Sequence, residues 1–245
     1  MAKTILKIKQ HMKTKNFTLL ILCFYFSICT SQNGGIATYT VSVVENEDDF
    51  MQQQMKEAIP DILDYVADLR FQLFFNEDES YFILEDKLYK SQIVADASSL
   101  VVKYTNPSIK VGDKKYHKSS KNRNVFPGKW VSSEINNDWE ITQETKQINN
   151  YTVYKAIGRY TKGNSRVGYK KMKATAWFCP ELPLPHGPLD FGGLPGLIFE
   201  LNFENVTYGI EKIEFKVVEI PKVDFENVVT SKAVEKKFEE LYGNQ

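Results

Sequence analysis

A regular alternation of apolar and polar residues, interrupted by short turn signals, runs through the second half of this 245-residue chain. Successive side chains of a strand point to opposite faces, so a period of two indicates strands with one buried face. Clusters of Asn, Lys, Gly and Ser separate these strands, which favours an antiparallel meander. The predicted strands are residues 129–133, 139–144, 151–158, 169–179, 197–203 and 210–218.

The first half of the chain predicts a mixture of strands and short helices. Alternation indicates a strand over residues 35–44, and two apolar runs around a polar turn indicate a hairpin over 70–84. Pro60 lacks an N–H donor and divides two predicted helices. These helices are residues 47–58 and 61–69, and the remaining predictions are a helix over 86–97, a strand over 100–104, a long hairpin tip or mobile loop over 110–129 and an amphipathic helix after an N-cap at Ser231.

The amino terminus has the pattern of a secretory signal. Two lysines precede an apolar run over residues 17–29, and the small residues Thr30 and Ser31 follow it. This run is shorter than the roughly 20 residues that a membrane-spanning helix needs. We therefore predict cleavage after Ser31 and export to the periplasm, the periphery of the outer membrane or the medium.

The predicted cleavage divides the chain into an amino-terminal extension with its signal, residues 1–31, and a single β-rich domain, residues 32–245. Acylation at Cys29 is the alternative, and the bulky Ile28 disfavours it because a small residue normally precedes such a cysteine. The mature chain keeps no hydrophobic run long enough for a transmembrane helix.

Charge and cysteine content narrow the classes of function. Residues 1–31 contain five lysines and no acidic residue, so their removal leaves 26 basic against 31 acidic residues. A mildly acidic chain argues against nucleic acid as a partner, because phosphate binding needs a clustered positive surface. Cys179 is the single cysteine after position 31, so an intramolecular disulfide is impossible.

A segment rich in proline and glycine, residues 180–196, connects an aromatic strand to an apolar one. Proline presets φ, and glycine accepts the positive φ of a type II turn, so Pro195-Gly196 predicts such a turn. We expect this segment to form one rim of a concave sheet.

The motif at the end of this segment resembles the signature of the GLPGLI family, exported proteins of Bacteroidota. The structural signature comprises Gly193, Leu194, Pro195, Gly196, Leu197 and Ile198. Trp139 to Ala156, Phe71 to Ser80, Trp177 and His186-Gly187-Pro188 resemble further family segments. Phe178 and Cys179 stand where the family usually has Tyr and often Thr, so Cys179 is not a family trait.

This resemblance implies a fold but no chemistry. It implies a mainly β (α+β) domain with a few short helices, built as a single curved, bowl-like antiparallel sheet or a half-open barrel. No biochemical activity is established for the family, so no residue role is carried over.

Three residue types of a thiol triad lie close in sequence at Cys179, His186 and Asp190. Cys179 ends an aromatic strand, a place typical of a small buried hydrophobe, and a nucleophile needs an exposed, electropositive site. Adding Glu181 makes a possible zinc set, but without a CxxC or HExxH element the spacing is weak evidence. We therefore predict no catalytic residue, no metal site and no cofactor.

Aromatic residues are the best indication of binding, at 13% of the chain. A curved sheet can expose Trp and Tyr as ligand platforms, although most aromatic side chains are core residues. The tryptophans of interest are Trp130, Trp139 and Trp177. His186, in a loop expected to be exposed, is a further candidate because loops carry function. We name Trp139, Trp177 and His186 as binding candidates.

These observations favour a non-enzymatic binding module of the cell envelope that holds an apolar ligand, a peptide or a protein partner. One alternative is a glycan-binding accessory domain that uses exposed Trp and Tyr, for which a flat stack of aromatic rings would argue. The other alternative is a hydrolase centred on Cys179 and His186. Expected partners are an envelope protein, a peptide, a lipid or a glycan.

Overall fold

A computed structural model describes residues 34–86, 91–121, 125–135, 138–164 and 168–242, without the side chains of residues 163 and 164. The predicted secretory signal lies outside the described residues. The strands are β1 (Gly35–Val43), β2 (Arg70–Phe75), β3 (Glu79–Leu84), β4 (Ser108–Val111), β5 (Lys114–Lys118), β6 (Trp130–Glu134), β7 (Trp139–Ile148), β8 (Tyr151–Asn164), β9 (Gly168–Cys179), β10 (Leu197–Phe203), β11 (Val206–Phe215) and β12 (Val228–Thr230). The helices are α1 (Phe50–Ala58), α2 (Ile62–Val66), α3 (Gln92–Val101) and α4 (Ser231–Tyr242).

The twelve strands form one mixed sheet in the order β12-β6-β5-β4-β3-β2-β1-β11-β10-β9-β8-β7. The mainly β fold with a few short helices is therefore confirmed. Strands β7 to β11 form the predicted meander without its predicted first strand, residues 129–133, because β6 pairs with β5 and β12 instead of β7. Strand β1 lies between the meander and the β2–β3 hairpin. The sheet is not wholly antiparallel, because Val228 to Thr230 pair in parallel with β6.

The connection between β6 and β7 shows that the sheet is curled. These strands lie ten places apart in the sheet order. In a flat sheet, ten spacings of about 4.8 Å would separate them by roughly 48 Å. The chain from Glu134 to Trp139 can span at most about 18 Å. The two ends of the sheet must therefore approach each other, which makes it an open, curved sheet as the resemblance implied.

The inner face of this sheet, which we define by Tyr39, Phe71 and Tyr208, carries the main core. These three aromatic side chains are fully buried. Helices α1 to α3 and residues 180–196 cover this face; for example, the Tyr208 hydroxyl donates to the carbonyl of Val102 at 2.8 Å. The chain itself therefore fills the inner face, where an empty ligand trough was expected.

The opposite, outer face carries a smaller apolar cluster on the wing formed by β3 to β6. Ile109, Tyr116 and Val223 are its buried members, and Trp130 packs against them. The segment after β11 crosses this cluster and then adds β12 beside β6. Because the chain arrives across the outer face and not through a hairpin, β12 can run parallel to its neighbour.

Local chemistry explains several boundaries. Asn149 and Asn150 both have positive φ, at 48° and 67°, as the two-residue turn between β7 and β8 requires. Asp49 caps α1 by accepting a hydrogen bond from the backbone N–H of Gln52. The cap of α4 is Thr230 and not the predicted Ser231, because the Thr230 hydroxyl accepts from the N–H of Ala233.

Two local predictions were wrong. Residues 100–104 do not form a strand, because α3 extends to Val101 and a turn follows. Residues 110–129 are not one long hairpin tip or mobile loop, since β5 and the end of β4 lie within them. Lys114 and Lys115 occur in β5 because cross-strand partners on β4 and β6 complete its backbone hydrogen bonds, a tertiary effect that local composition does not contain.

Candidate functional site

The proline- and glycine-rich segment, residues 180–196, crosses the inner face of the sheet and contacts both of its wings, one formed by β3 to β6 and the other by β7 to β9. On one wing, Lys110 Nζ donates to the carbonyl of Pro185 at 2.8 Å, and Lys115 pairs with Asp190 at 2.9 Å. On the other wing, Trp139 Nε1 donates to the carbonyl of Gly192 at 2.8 Å. The segment is therefore a packed inner layer of the fold.

The signature residues make this layer possible by close packing. Leu194, Leu197 and Ile198 are buried. The predicted type II turn is wrong: Gly196 does not have positive φ, and its N–H donates to the carbonyl of Leu194 at 2.8 Å across Pro195. Glycine is needed at position 196 because a Cβ there would lie 2.2 Å from the carbonyl oxygen of Cys179. Positive φ occurs instead at Gly193, at 77°.

The expectation that His186 is exposed was wrong, since its side chain is fully buried. Nε2 lies 2.8 Å from the carbonyl oxygen of Asn76, and Nδ1 lies 3.3 Å from Lys110 Nζ. Burial, together with the charge of Lys110, lowers the pKa of His186 to about 4. Burial lowers the pKa of Lys110 to about 8. A neutral imidazole that donates to Asn76 and accepts from Lys110 satisfies this geometry.

The thiol triad is not assembled. Cys179 is fully buried, and desolvation raises the pKa of its thiol. Both ring nitrogens of His186 are engaged by Asn76 and Lys110, and Asp190 pairs with Lys115. Within the described ranges, no group of three or more His, Cys, Asp or Glu residues could hold a metal ion.

The two candidate tryptophans occupy different faces. The Trp139 ring packs on Gly158, where a Cβ would come within 2.6 Å of the ring, and lies 6.0 Å from the Phe191 ring. Trp177 lies on the outer face, half-buried, with Lys146 Nζ 4.4 Å from its ring centroid. Trp139, Trp177 and His186 therefore do not form one site.

A cleft lies instead beside the β10–β11 turn. Its walls are α1, the turn after α3, the segment 180–196, the end of β8 and the start of β9. It has two chambers, of about 460 and 780 Å³, and both are lined by Lys103 and Lys162. The smaller chamber has Tyr160, Phe191 and Phe203 in its wall. The larger has Phe50, Met51 and Met172 in its wall, with Phe50 72% exposed. We call these two chambers the cleft.

Charged side chains are fixed at the junction of the two chambers. Glu204 accepts from the Tyr160 hydroxyl at 3.1 Å and pairs with Lys162 at 2.6 Å. Lys103 bridges Asp49 and Glu204. Burial opposes ionisation of Asp49, but the hydrogen bonds from Lys103 and Gln52, with the Lys103 charge, hold its pKa below the usual value. The junction is therefore a polar network with both signs of charge.

The Tyr160 ring meets the two other aromatic rings of the smaller chamber at steep angles, and those two rings are tilted by 45° to each other. The Tyr160 ring is inclined at 78° to the Phe191 ring and at 83° to the Phe203 ring. Burial, and then the nearby Glu204 carboxylate, raises the pKa of Tyr160, so the hydroxyl stays protonated and donates. A flat stack of rings, which would favour glycan binding, is not formed in this chamber.

Three residues of the cleft wall have an unusual backbone conformation. Lys103, Leu189 and Glu204 have φ values of 66°, 58° and 51°. Residues other than glycine and asparagine seldom enter this left-handed region, which costs roughly 1 kcal/mol or more. Such strain is often retained at functional sites. It occurs here in three separate connections that converge on one cleft.

Sequence reasoning did not identify these cleft residues. Asp49, Lys103, Lys162 and Glu204 come from four segments that are distant in sequence, and none belongs to a motif. No signal in a single sequence reports that four such segments meet.

The described fold and cleft define a class of protein: a single-sheet, mainly β module with an internal covering segment and an open, amphipathic cleft. A family model described as "Protein of unknown function (Porph_ging)" matches residues 158–200, from the middle of β8 to the middle of β10. No curated protein matches the sequence. Within the described residues, no helix is long and apolar enough to cross a membrane.

Two solved structures resemble the fold. "Structure of PNGF-II in P21 space group" matches with 14% identity and a TM-score of 0.47, covering 82% of this chain and 33% of that one. "Structure of PNGF-II in C2 space group" matches with 13% identity and a TM-score of 0.47, covering 81% and 31%. This chain thus spans about a third of the solved chains it matches. At these values the likeness says nothing about activity.

Proposed function

We propose that this protein is an exported, non-enzymatic binding module of the cell envelope, and that its cleft binds a peptide segment of a partner protein. The observation that carries the proposal is the cleft itself, with an aromatic wall, exposed apolar side chains and fixed charges of both signs. The match at residues 158–200, which includes the signature, supports membership of the GLPGLI family.

The composition of the cleft favours a peptide over an apolar small molecule. Lys103, Lys162, Asp49 and Glu204 are already paired, so the wall has no large net charge to select an ion. A peptide supplies apolar side chains for the open chamber and backbone donors and acceptors for this polar junction. A wholly apolar ligand would leave the charged groups desolvated, which is unfavourable.

The backbone conformation also fixes the shape of the cleft wall. The strained conformations of Lys103 and Glu204 hold the two ionic groups in place before a ligand arrives, so binding does not have to order them. The exposed Phe50 and the partly exposed Met51 supply apolar contact area at the mouth. Apolar anchors beside a rigid polar network are typical of peptide-binding clefts.

Native mass spectrometry of protein purified from its own envelope tests this proposal. We expect a co-purifying peptide mass with the wild-type chain and its loss in Phe50→Ser, which removes an apolar residue of the mouth. Ile93→Ser is the matched control, because Ile93 is a helical residue that is 77% exposed and does not line the cleft. A bound lipid or sugar, or equal occupancy in the two variants, would contradict peptide binding.

A further inference from the structure

The end of β8 and the start of β9 project beyond the rest of the sheet. Pairing with β7 ends at Gly158, and pairing with β10 ends at Ala174. Residues 159–164 and 168–173 therefore pair only with each other as strands. We call this two-stranded projection the arm.

The arm is strongly basic in an otherwise acidic chain. Residues 159–173 contain six basic residues and no acidic residue. Neighbouring residues of a strand point to opposite faces, so Lys170 and Lys171 lie on opposite sides of the arm. Lys170 lines the cleft on the inner side. Alternation, however, also places Lys171 and Lys173 together on the outer side.

Cross-strand pairing adds a third cation to that outer side. Arg159 is directly opposite Lys173, and Lys171 lies two residues before Lys173 in β9. Opposed residues are about 5 Å apart at Cα, and residues i and i+2 of one strand are about 7 Å apart. All three side chains are exposed, and none forms an ion pair within the described part of the chain.

This arrangement is unfavourable for the isolated molecule. Like charges directly opposite each other destabilise an antiparallel pair, and the arm has two such pairs, Arg159 with Lys173 and Lys162 with Lys170. Spacings of about 5 to 7 Å are shorter than the Debye length of about 8 Å at physiological salt, so the charges repel one another. Each of these cations would be attracted to an anionic partner, and this attraction would offset their mutual repulsion.

The row of cations selects the form of that partner. The outer face of β9 continues from Lys171 and Lys173 through Thr175 to Trp177, with Lys155 opposite Trp177. The result is a stripe along a strand, in which Lys155 is paired with Glu144 and the three outer cations of the arm are unpaired within the described residues. An extended polymer with repeated negative groups can follow such a stripe. Docking on a membrane surface would also need apolar side chains to insert, and both tyrosines of the arm are engaged: Tyr169 is hydrogen-bonded to Glu235, and Tyr160 lines the cleft and is hydrogen-bonded to Glu204.

We propose that the outer face of the arm is a docking surface for an acidic polysaccharide, with Arg159, Lys171 and Lys173 as its anion-binding residues. Carboxylate or sulfate groups of the polymer would contact these three cations, and release of counterions would make the binding weaken as salt rises. This surface is separate from the cleft and does not depend on peptide binding there.

Binding of fluorescently labelled polygalacturonate to the envelope-purified protein tests the inference, with uncharged dextran as the reference polymer. We expect the triple variant Arg159→Gln/Lys171→Gln/Lys173→Gln to lose about tenfold or more in affinity and to show a weaker salt dependence. The triple variant Lys114→Gln/Lys222→Gln/Lys236→Gln removes the same net charge from exposed lysines elsewhere, and we expect a change within about twofold.

Circular dichroism and thermal melting check that both triple variants are folded, and Arg159→Lys, which keeps the charge, should bind within about twofold of wild type. Equal losses in the two triple variants, or wild-type affinity for polygalacturonate no higher than for dextran, would overturn the inference. Tighter binding to polyglutamate, or to vesicles of phosphatidylcholine and phosphatidylglycerol, would overturn it in favour of an acidic protein or a membrane. Retained polygalacturonate binding by Phe50→Ser is expected whether or not the cleft binds a peptide.

Discussion

At the scale of single residues, the segment that contains the signature is held in place by close backbone packing and by hydrogen bonds. Gly196 lets the backbone approach Cys179, and the buried His186 joins residues 180–196 to the β2–β3 turn and to β4. The presence of glycine and proline in this segment was readable from the sequence. The sequence did not show which glycine has positive φ, because that depends on the contacts of the folded segment.

We expect Gly196→Ala to lower the free energy of unfolding by about 3 kcal/mol or more, because the new Cβ would overlap the carbonyl group of Cys179. Urea denaturation at neutral pH measures this change. Gly209→Ala is the control: its Cβ would meet the Thr40 hydroxyl at 3.8 Å, an ordinary contact, and we expect a change within about 1 kcal/mol. Equal effects of the two substitutions would contradict the packing role of Gly196.

His186 should make stability depend on pH. Its pKa falls from 6.5 to about 4 on folding, so the folded state disfavours the proton and the contribution of His186 is fully present above pH 6.5. As the pH falls from 6.5 towards 4, the free energy of unfolding should decrease by on the order of 3 kcal/mol. Urea denaturation at several pH values measures the slope.

In His186→Gln this part of the pH dependence should disappear, whereas His117→Gln should keep it. Lys110 should act in the same direction at higher pH, because its pKa of about 8 lies below the ordinary value of 10.5. The free energy of unfolding should therefore rise as the pH increases from about 8 to 10.5. An unchanged slope between pH 4 and 6.5 in His186→Gln would show that other groups cause it.

At the scale of elements, residues 180–196 act as an inner layer that ties the two wings of the sheet together. Two of the residues that donate hydrogen bonds to it, Lys110 and Trp139, come from strands on opposite sides of the sheet order. The sequence predicted the segment and its flanking strands. It did not predict the direction in which the segment folds back, since that direction depends on contacts more than 50 residues away in sequence.

We expect Trp139→Phe to loosen this layer, because the carbonyl of Gly192 would lose the hydrogen bond from the indole N–H. The expected loss of stability is about 1 to 2 kcal/mol. Amide hydrogen exchange should accelerate within residues 186–196. Trp177→Phe, on the outer face, should leave exchange in this segment unchanged, and faster exchange in both variants would mean that the effect is not specific to the Gly192 contact.

At the scale of the whole molecule, the chain combines a curled sheet, a cleft at the β10–β11 turn and a basic arm. Strand alternation and turn residues predicted most of the strands, but not the parallel pairing of β12 or the closeness of β6 and β7. These features depend on how twist accumulates over twelve strands, which no local pattern records.

Export is a prediction at this scale. Mass spectrometry of the intact protein from an envelope or culture fraction should find a mature chain that begins at Gln32. A chain that begins at an acylated Cys29 would show that the alternative, a lipoprotein, is correct. A full-length chain in the cytoplasmic fraction would contradict export itself.

The sequence by itself determined the mainly β class, the meander of β7 to β11 and the turn at Asn149-Asn150, because periodicity and turn chemistry are local properties. It also indicated that Cys179 is a buried hydrophobe. Only the tertiary structure decided that His186 is buried and that the inner face is filled. It likewise decided that Asp49, Lys103, Lys162 and Glu204 meet at one cleft. The physical reason is that burial and long-range pairing depend on which surfaces face each other after the sheet curls, and distant segments of the chain set that together.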